Sequence, residues 1–253
     1  LPTPTSLRIV EIMTGNTSPQ SVLITGASSG IGQALALAYA QPGTTLWLSG
    51  RDSQRLETIA TQVQERGAEC TLQVVDVRDR DAMDSWVTAA DDQTPLDLVI
   101  ANAGVSAGTR KRPAADHWSD ADVFATNVDG VVHTVTPSLK RMRRRNQGQI
   151  AIMSSLASFR AFGESPAYCA SKAAVRFYAA GLRRAHAKDG IGVSVICPGF
   201  VRSPMTDAND FRMPFLMDTD RAAARIRNRL ARNPAMIAFP LPMYLAVRML
   251  ALF

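Results

Sequence analysis

Residues 21–197 alternate short apolar runs, each the length of a buried strand, with amphipathic stretches of helix length. Few architectures satisfy that alternation. Strands apolar throughout must be covered on both faces, so the pattern predicts repeated strand–helix units around a mostly parallel sheet, an α/β fold. The chain has 253 residues, 46% of them hydrophobic, enough for one large core, and no Gly/Ser/Pro-rich linker or internal repeat divides it. We expect one domain over residues 13–253, with Met13 as its candidate start. Residues 1–12 are expected to be a disordered extension, since they carry two prolines and lack the plan of a signal peptide.

The first unit carries the most chemistry. A β-favouring run at residues 21–25 leads into Gly26-Ala27-Ser28-Ser29-Gly30-Ile31-Gly32 and then a helical stretch at residues 33–40. A pyrophosphate reaches the free N–H groups of a helix N-terminus only where side chains are absent, and glycine also accepts the backbone angles of such a turn. The G-x-x-x-G-x-G spacing differs from the commoner dinucleotide fingerprint, and by itself it marks no more than a turn. Strand before and helix after supply the context a dinucleotide site demands. About twenty residues on, a carboxylate would favour a free ribose 2′-hydroxyl. Here the second strand, residues 45–49, ends in Gly50-Arg51-Asp52. The Arg51 fork suits a phosphate, and Asp52 suits the cap of the helix that follows, so NADP(H) is expected over NAD(H).

Charge and cysteine usage exclude other classes. The formal charge is +6, and part of the excess lies in one run, Lys140, Arg141, Arg143, Arg144 and Arg145. No aromatic residues interleave with it as a stacking surface for nucleic acid would require, so it reads as the exposed last turn of a long helix. No nucleic-acid partner is expected. Cys70, Cys169 and Cys197 form neither a disulfide framework nor a zinc site, which fits a reducing cytoplasm, and His117, His133 and His186 lack ligand spacing. We expect no metal.

Together these motifs resemble the short-chain dehydrogenases/reductases in their common single-domain form, over nearly the whole chain after Met13. The resemblance implies a Rossmann-like, doubly wound sheet of about seven strands. It assigns the cofactor to Gly26, Ser28, Ser29, Gly30, Ile31 and Gly32, to the adenine-contacting pair Asp76-Val77, and to Asn102-Ala103-Gly104. It adds Pro198, Gly199, Val201 and Ser203 around the nicotinamide, with Ser203 standing where the family usually has threonine. No basic residue precedes Gly30, so the NADP(H) preference rests on Arg51. The catalytic set it implies is Asn127, Ser155, Tyr168 and Lys172, with Ser155 chosen over its neighbour Ser154 because it lies thirteen residues before Tyr168. It also implies a homodimer or homotetramer built through the helices that contain Asn127 and Lys172.

The chemistry is intelligible from the residues. Hydride transfer to a carbonyl leaves an alkoxide, so a proton must arrive as the charge develops. Tyr168 and Lys172 stand four apart in a helical stretch from Pro166, hence on one face. Such a spacing also arises as an exposed aromatic–cation pair. A nearby ammonium is expected to lower the phenol pKa from its usual value of about 10. The resemblance further implies that Lys172 bonds the nicotinamide ribose and that Asn127 holds a water linking Lys172 to solvent.

Substrate selectivity is expected from residues 105–117, 156–164 and 204–218. The last stretch holds Met205, Phe211, Met213, Phe215, Leu216 and Met217, either as a lid over a hydrophobic substrate or as a loop packed on the core. The apolar tail, residues 243–253, is too short to span a bilayer. A membrane-surface anchor, an oligomer contact and a pocket wall all stay open, with packing against the same or a neighbouring subunit favoured. The expected function is an NADP(H)-dependent oxidoreductase interconverting a carbonyl and an alcohol. The alternatives are a catalytically silent NADP(H)-binding sensor or scaffold, or an epimerase or dehydratase that retains its cofactor.

Overall fold

A computed structural model describes residues 18–106, 118–207 and 209–251. Seven strands form one sheet: β1 (Ser21–Thr25), β2 (Thr45–Gly50), β3 (Glu69–Val74), β4 (Leu98–Ala101), β5 (Gly148–Met153), β6 (Ile191–Pro198) and β7 (Met236–Phe239). Their order is β3-β2-β1-β4-β5-β6-β7, and every adjacent pair is parallel. This is the expected Rossmann-like architecture. The crossovers run outward on either side of β1 and β4, so the strand order reverses between those two, where open α/β sheets leave a crevice at the carboxyl ends.

The period-2 pattern of the strands divides the core between two faces. In β1, Val22 and Ile24 join one apolar cluster and Leu23 the other. Helices α1 (Gly30–Tyr39), α2 (Ser53–Glu65) and, further along, α8 (Thr219–Leu230) cover the first face through residues such as Leu35, Leu56, Val63 and Ile226. The second face is covered by α3 (Arg80–Gln93), α5 (Gly130–Arg145) and α6 (Pro166–Ala185), through Met83, Trp86, Val135 and Val175. The predicted edge strand over residues 235–239 is β7, paired with β6.

The helix that contains Asn127 is interrupted. It comprises a short α4 (Asp120–Phe124), a π turn (Ala125–Asp129) and α5. Gly130 permits this: a Cβ there would stand 2.5 Å from Val77 Cγ2, so only glycine lets the helix approach the turn after β3. The basic run ends α5, as expected, but it is not simply solvated. Arg141 and Arg145 both reach the buried Asp91, at 2.9 Å each, Arg141 also pairs with Asp92, and Arg143 pairs with Asp189 at 3.2 Å.

No helix among the described residues is long and apolar enough to cross a membrane, and no metal-binding cluster of His, Cys, Asp or Glu occurs among them. The three cysteines are free. His133 bonds the Val77 carbonyl and His186 bonds Asp189, both ordinary structural roles. The expected extension, most of the 105–117 loop and His117 lie outside the described residues.

Candidate active site

A cleft of about 720 Å³ opens at the carboxyl ends of the strands, where their order reverses. Its floor at one end is the turn between β1 and α1. Gly26 (φ 66°) and Gly30 (φ 57°) take left-handed angles that side chains resist. A Cβ on Gly26 would stand 2.8 Å from Ala103 Cα, and one on Gly30 would lie 3.2 Å from Ser203 Cβ. Gly32 differs from the expectation, because it does not line the cleft. Its missing side chain instead lets α1 pack on the turn, since a Cβ would collide with the Gly26 carbonyl oxygen.

The N-cap residue of α1, Ser29, makes no side-chain capping bond, so the first N–H groups of the helix are unspent toward the cleft. Ser28, Ser29 and Ile31 line the same end, with Asp76 and Val77 after β3, Asn102, Ala103 and Gly104 after β4, and Arg51 after β2. The Thr126 hydroxyl, buried with no partner, borders it too. Bare backbone donors at a helix N-terminus, a turn with glycine at both left-handed positions and an unsatisfied hydroxyl fit a dinucleotide. Asn102 has a second task, donating its amide to the Thr25 and Gly26 carbonyls, while Thr25 Oγ1 accepts from the Asn102 and Ala103 N–H groups. Those bonds tie β4 to the glycine turn. Burial works to raise the Asp76 pKa, but hydrogen bonds and charge from Arg78, helped by Arg51, hold the carboxyl below the usual range.

At the middle of the cleft stand Ser155, Tyr168 and Lys172. The structure places Ser154 and Ser155 differently. Ser154 is buried and donates its hydroxyl to the Lys172 carbonyl at 2.8 Å, whereas the Ser155 hydroxyl borders the cleft with Tyr168 and accepts the Ala157 N–H at 3.1 Å. Lys172, only 3% exposed, donates from Nζ to the Met153 carbonyl at 3.1 Å, with Nζ 5.8 Å from the Tyr168 ring centroid. One electrostatic expectation needs correcting. Burial pushes the Tyr168 phenol up, against the opposing Ser155 hydrogen bond, and Lys172 does not bring it below its ordinary value. The same burial pushes Lys172 down to about 8. Desolvation disfavours the charged form of each and is the largest cause of both shifts.

Asn127 sits in the π turn, fully buried behind the cleft wall rather than on it. Its Nδ2 donates to the Val105 carbonyl and to Ser171 Oγ, while Oδ1 accepts from the Val105 N–H at 2.8 Å. Ser171 in turn donates to the Tyr168 carbonyl. A Cβ on Gly104 would stand 3.0 Å from both Asn127 Oδ1 and Lys172 Nζ, so this glycine keeps amide and amine facing one point.

The other end of the cleft is apolar. Leu156, Phe162, Met205 and Phe211 line it with Met243, Val247 and Leu250, three residues of the last helix, α9 (Leu241–Leu250). Of the readings left open for the tail, pocket wall is the one its inner face takes. Its outer face leaves Leu241, Leu245 and Met249 exposed. A short helix, α7 (Pro204–Asp207), opens the 204–218 segment, which divides between its two readings. Met205 and Phe211 face the cleft, whereas Met217 packs on the core and bridges Val201. Pro198, Gly199, Val201 and Ser203 all border the cleft as expected. Sequence reasoning gave no role to the Thr25 and Ser171 hydroxyls or to Trp118. Thr25 acts on backbone and Ser171 on the Tyr168 carbonyl and the distant Asn127 amide, which leaves no spacing signal, and a lone tryptophan points nowhere until the chain has folded.

The short chain dehydrogenase family model matches residues 20–212. The chain belongs to the short-chain dehydrogenase/reductase family. An uncharacterized oxidoreductase of Myxococcus xanthus is 36% identical over 234 residues, covering 92% of each chain. Among solved structures, a short-chain dehydrogenase from Sphingobium yanoikuyae in complex with NADPH is 26% identical with a TM-score of 0.78, covering 92% of this chain and 91% of that one. A short-chain dehydrogenase/reductase from Burkholderia phymatum in complex with NAD is likewise 26% identical, with a TM-score of 0.79 and coverage of 90% and 92%. Membership in this short-chain dehydrogenase/reductase family makes the chain an oxidoreductase of the CH–OH/C=O class with a nicotinamide cofactor.

Proposed function

We propose that this protein is an NADP(H)-dependent oxidoreductase that interconverts a hydrophobic carbonyl compound and its alcohol, with Tyr168 as the acid/base. The observation that carries this reading is the meeting, in one cleft, of the Ser155 hydroxyl, the Tyr168 phenol and the Lys172 amine between a dinucleotide-sized cradle and an apolar chamber. A bound nicotinamide supplies or accepts the hydride. The protein's share is the proton. Ser155 Oγ orients the carbonyl oxygen, and Tyr168 delivers its proton to that oxygen as charge develops. Lys172 sits beside the phenol to stabilise the phenolate left behind, and Asn127, reaching Lys172 across the Gly104 gap through a water, links it to solvent. The apolar walls exclude water and favour a hydrophobic substrate.

Cofactor preference follows from the end of β2. Asp52, the acid that could have served a free 2′-hydroxyl, accepts from the Arg55 N–H at 3.0 Å and pairs with the Arg55 guanidinium, capping α2. Arg51 lines the cleft with no ion pair among the described residues. That arrangement supports NADP(H) over NAD(H). Residues 13–253 are taken as one catalytic domain that assembles into a homodimer or homotetramer through the helices bearing Asn127 and Lys172. Exposed Phe124 and Phe177 on α4 and α6 support that assembly.

The test is oxidation of NADPH and of NADH across a panel of aldehydes, ketones and quinones of graded polarity, together with the dissociation constant of each cofactor. We expect tighter binding of NADPH, a gap that narrows in Arg51→Ala, and turnover concentrated on apolar carbonyls. Equal dissociation constants would remove the NADP(H) assignment. Activity confined to small charged carbonyls would remove the hydrophobic-substrate assignment.

A further inference from the structure

Arg51 does not stand alone at the cofactor end of the cleft. Its guanidinium lies over the indole of Trp118, with Cζ 4.6 Å from the ring centroid. The ring holds the cation by its π face, and the guanidinium N–H donors enter no ion pair among the described residues. A phosphate takes those in-plane donors as a fork. Arg51 is exposed on a long flexible side chain, so the contact with Trp118 restricts the rotamers it would otherwise have to give up on binding.

Trp118 is itself fixed. It is half-buried and directly precedes Ser119, the N-cap of α4, where a reciprocal capping box joins Ser119 and Asp122. Asp122 also holds Arg78 at 2.9 Å, and Arg78 grips Asp76 at 2.8 Å. Arg78 Cζ lies 5.9 Å from the same indole. A chain of contacts therefore runs from the Asp76 turn through Arg78 and the α4 cap to the ring on which Arg51 rests.

We propose that Trp118 is a cofactor-selectivity residue, a positioning group that holds the Arg51 fork edge-on to the 2′-phosphate of NADP(H). This rests on the NADP(H) reading above. Trp118 acts on the nucleotide through Arg51, so its loss should weaken binding of a 2′-phosphorylated nucleotide and leave the unphosphorylated one nearly untouched.

The probes are 2′,5′-ADP and 5′-AMP, titrated calorimetrically into the full chain, which separates selectivity from turnover. The wild type should bind 2′,5′-ADP more tightly. Trp118→Leu should lower that affinity ratio about fivefold, the scale of a partly exposed cation–π contact. Trp118→Phe, which keeps an aromatic face, should retain most of the ratio and guards against a folding defect in the leucine variant. In the double variant Arg51→Ala/Trp118→Leu the ratio should equal that of Arg51→Ala alone, because the two residues act as one unit. Trp47 and Trp86 are buried, so the emission that 2′,5′-ADP perturbs should be largely absent from Trp118→Phe.

A wild-type ratio preserved in Trp118→Leu would overturn the proposal while leaving the NADP(H) reading intact. So would an equal loss for both nucleotides that phenylalanine does not rescue. A wild-type ratio near one would instead overturn the NADP(H) reading itself, and this inference with it.

Discussion

At the scale of single residues, burial governs the titrating groups of the cleft. A phenol raised by desolvation keeps its proton through neutral pH, which suits Tyr168 to donate during carbonyl reduction. Tyr168→Phe should therefore still bind NADPH but lose at least about a thousandfold in kcat, the scale expected when a positioned proton donor is removed. Turnover near the wild-type level would show that another group supplies the proton. Reduction should weaken and alcohol oxidation strengthen as pH rises, because the first consumes a proton and the second releases one. Lys172 leaves its mark on stability as well. It releases its proton near pH 8 when folded, against an ordinary value of 10.5, so between those values the unfolded chain binds more protons and stability rises with pH. Denaturant melts should show wild type gaining about 2 kcal/mol over Lys172→Met between about pH 8 and 10. The raised thiol of Cys70 acts in the opposite sense in both proteins and cancels in the difference, whereas Cys197, which the Lys172 charge works to lower, rises further in Lys172→Met and adds to the gain. A pH-independent difference would mean that Lys172 remains an ammonium in the fold.

At the scale of elements, the basic end of α5 acts as a clamp. Asp91 near the end of α3 receives Arg141 and Arg145 and also accepts the Leu96 N–H at 3.0 Å, fastening the turn that leads to β4. Removing one partner of a buried ion network strands the others, at a cost of about 3 kcal/mol. Asp91→Ala should lower the urea midpoint accordingly, while Arg144→Ala, for which no ion pair is found among the described residues, should leave it nearly unchanged. If the two variants melt alike, the clamp is not a stabilising element. The sequence showed a cationic helix end with a favourable dipole interaction, yet it could not show that acids some fifty positions upstream would neutralise it. That pairing depends on α3 and α5 lying side by side. The interruption of the helix at Asn127 was equally hidden, because the π turn answers to Val105 and Ser171, residues distant in sequence.

For the molecule as a whole, the apolar surface left uncovered supports the proposed assembly. Phe124 and Phe177 are exposed on the helices that back the site, and Leu241, Leu245 and Met249 on the outside of α9. Light scattering should give two or four times the mass of one chain, and a monomeric mass at micromolar concentration would count against the proposed oligomer. The cleft itself was largely legible in advance, since the glycine turn, the Asp76-Val77 and Asn102-Ala103-Gly104 segments and the Tyr168/Lys172 pair all border it. Its far wall was not. The tail that supplies Met243, Val247 and Leu250 is separated from Ser155 by nearly ninety residues, and only the return of the chain past β7 sets it there.

By itself, the amino-acid sequence determined the layered α/β architecture and the ends of the strands at which chemistry sits. Hydrophobic period and glycine placement are local properties, and they act on the backbone wherever the chain lies. Tertiary structure alone decided the side to which burial shifts Tyr168 and Lys172, and the seating of Arg51 on Trp118. Each of those depends on the distance and solvent exclusion between segments far apart in the chain, which no local pattern encodes.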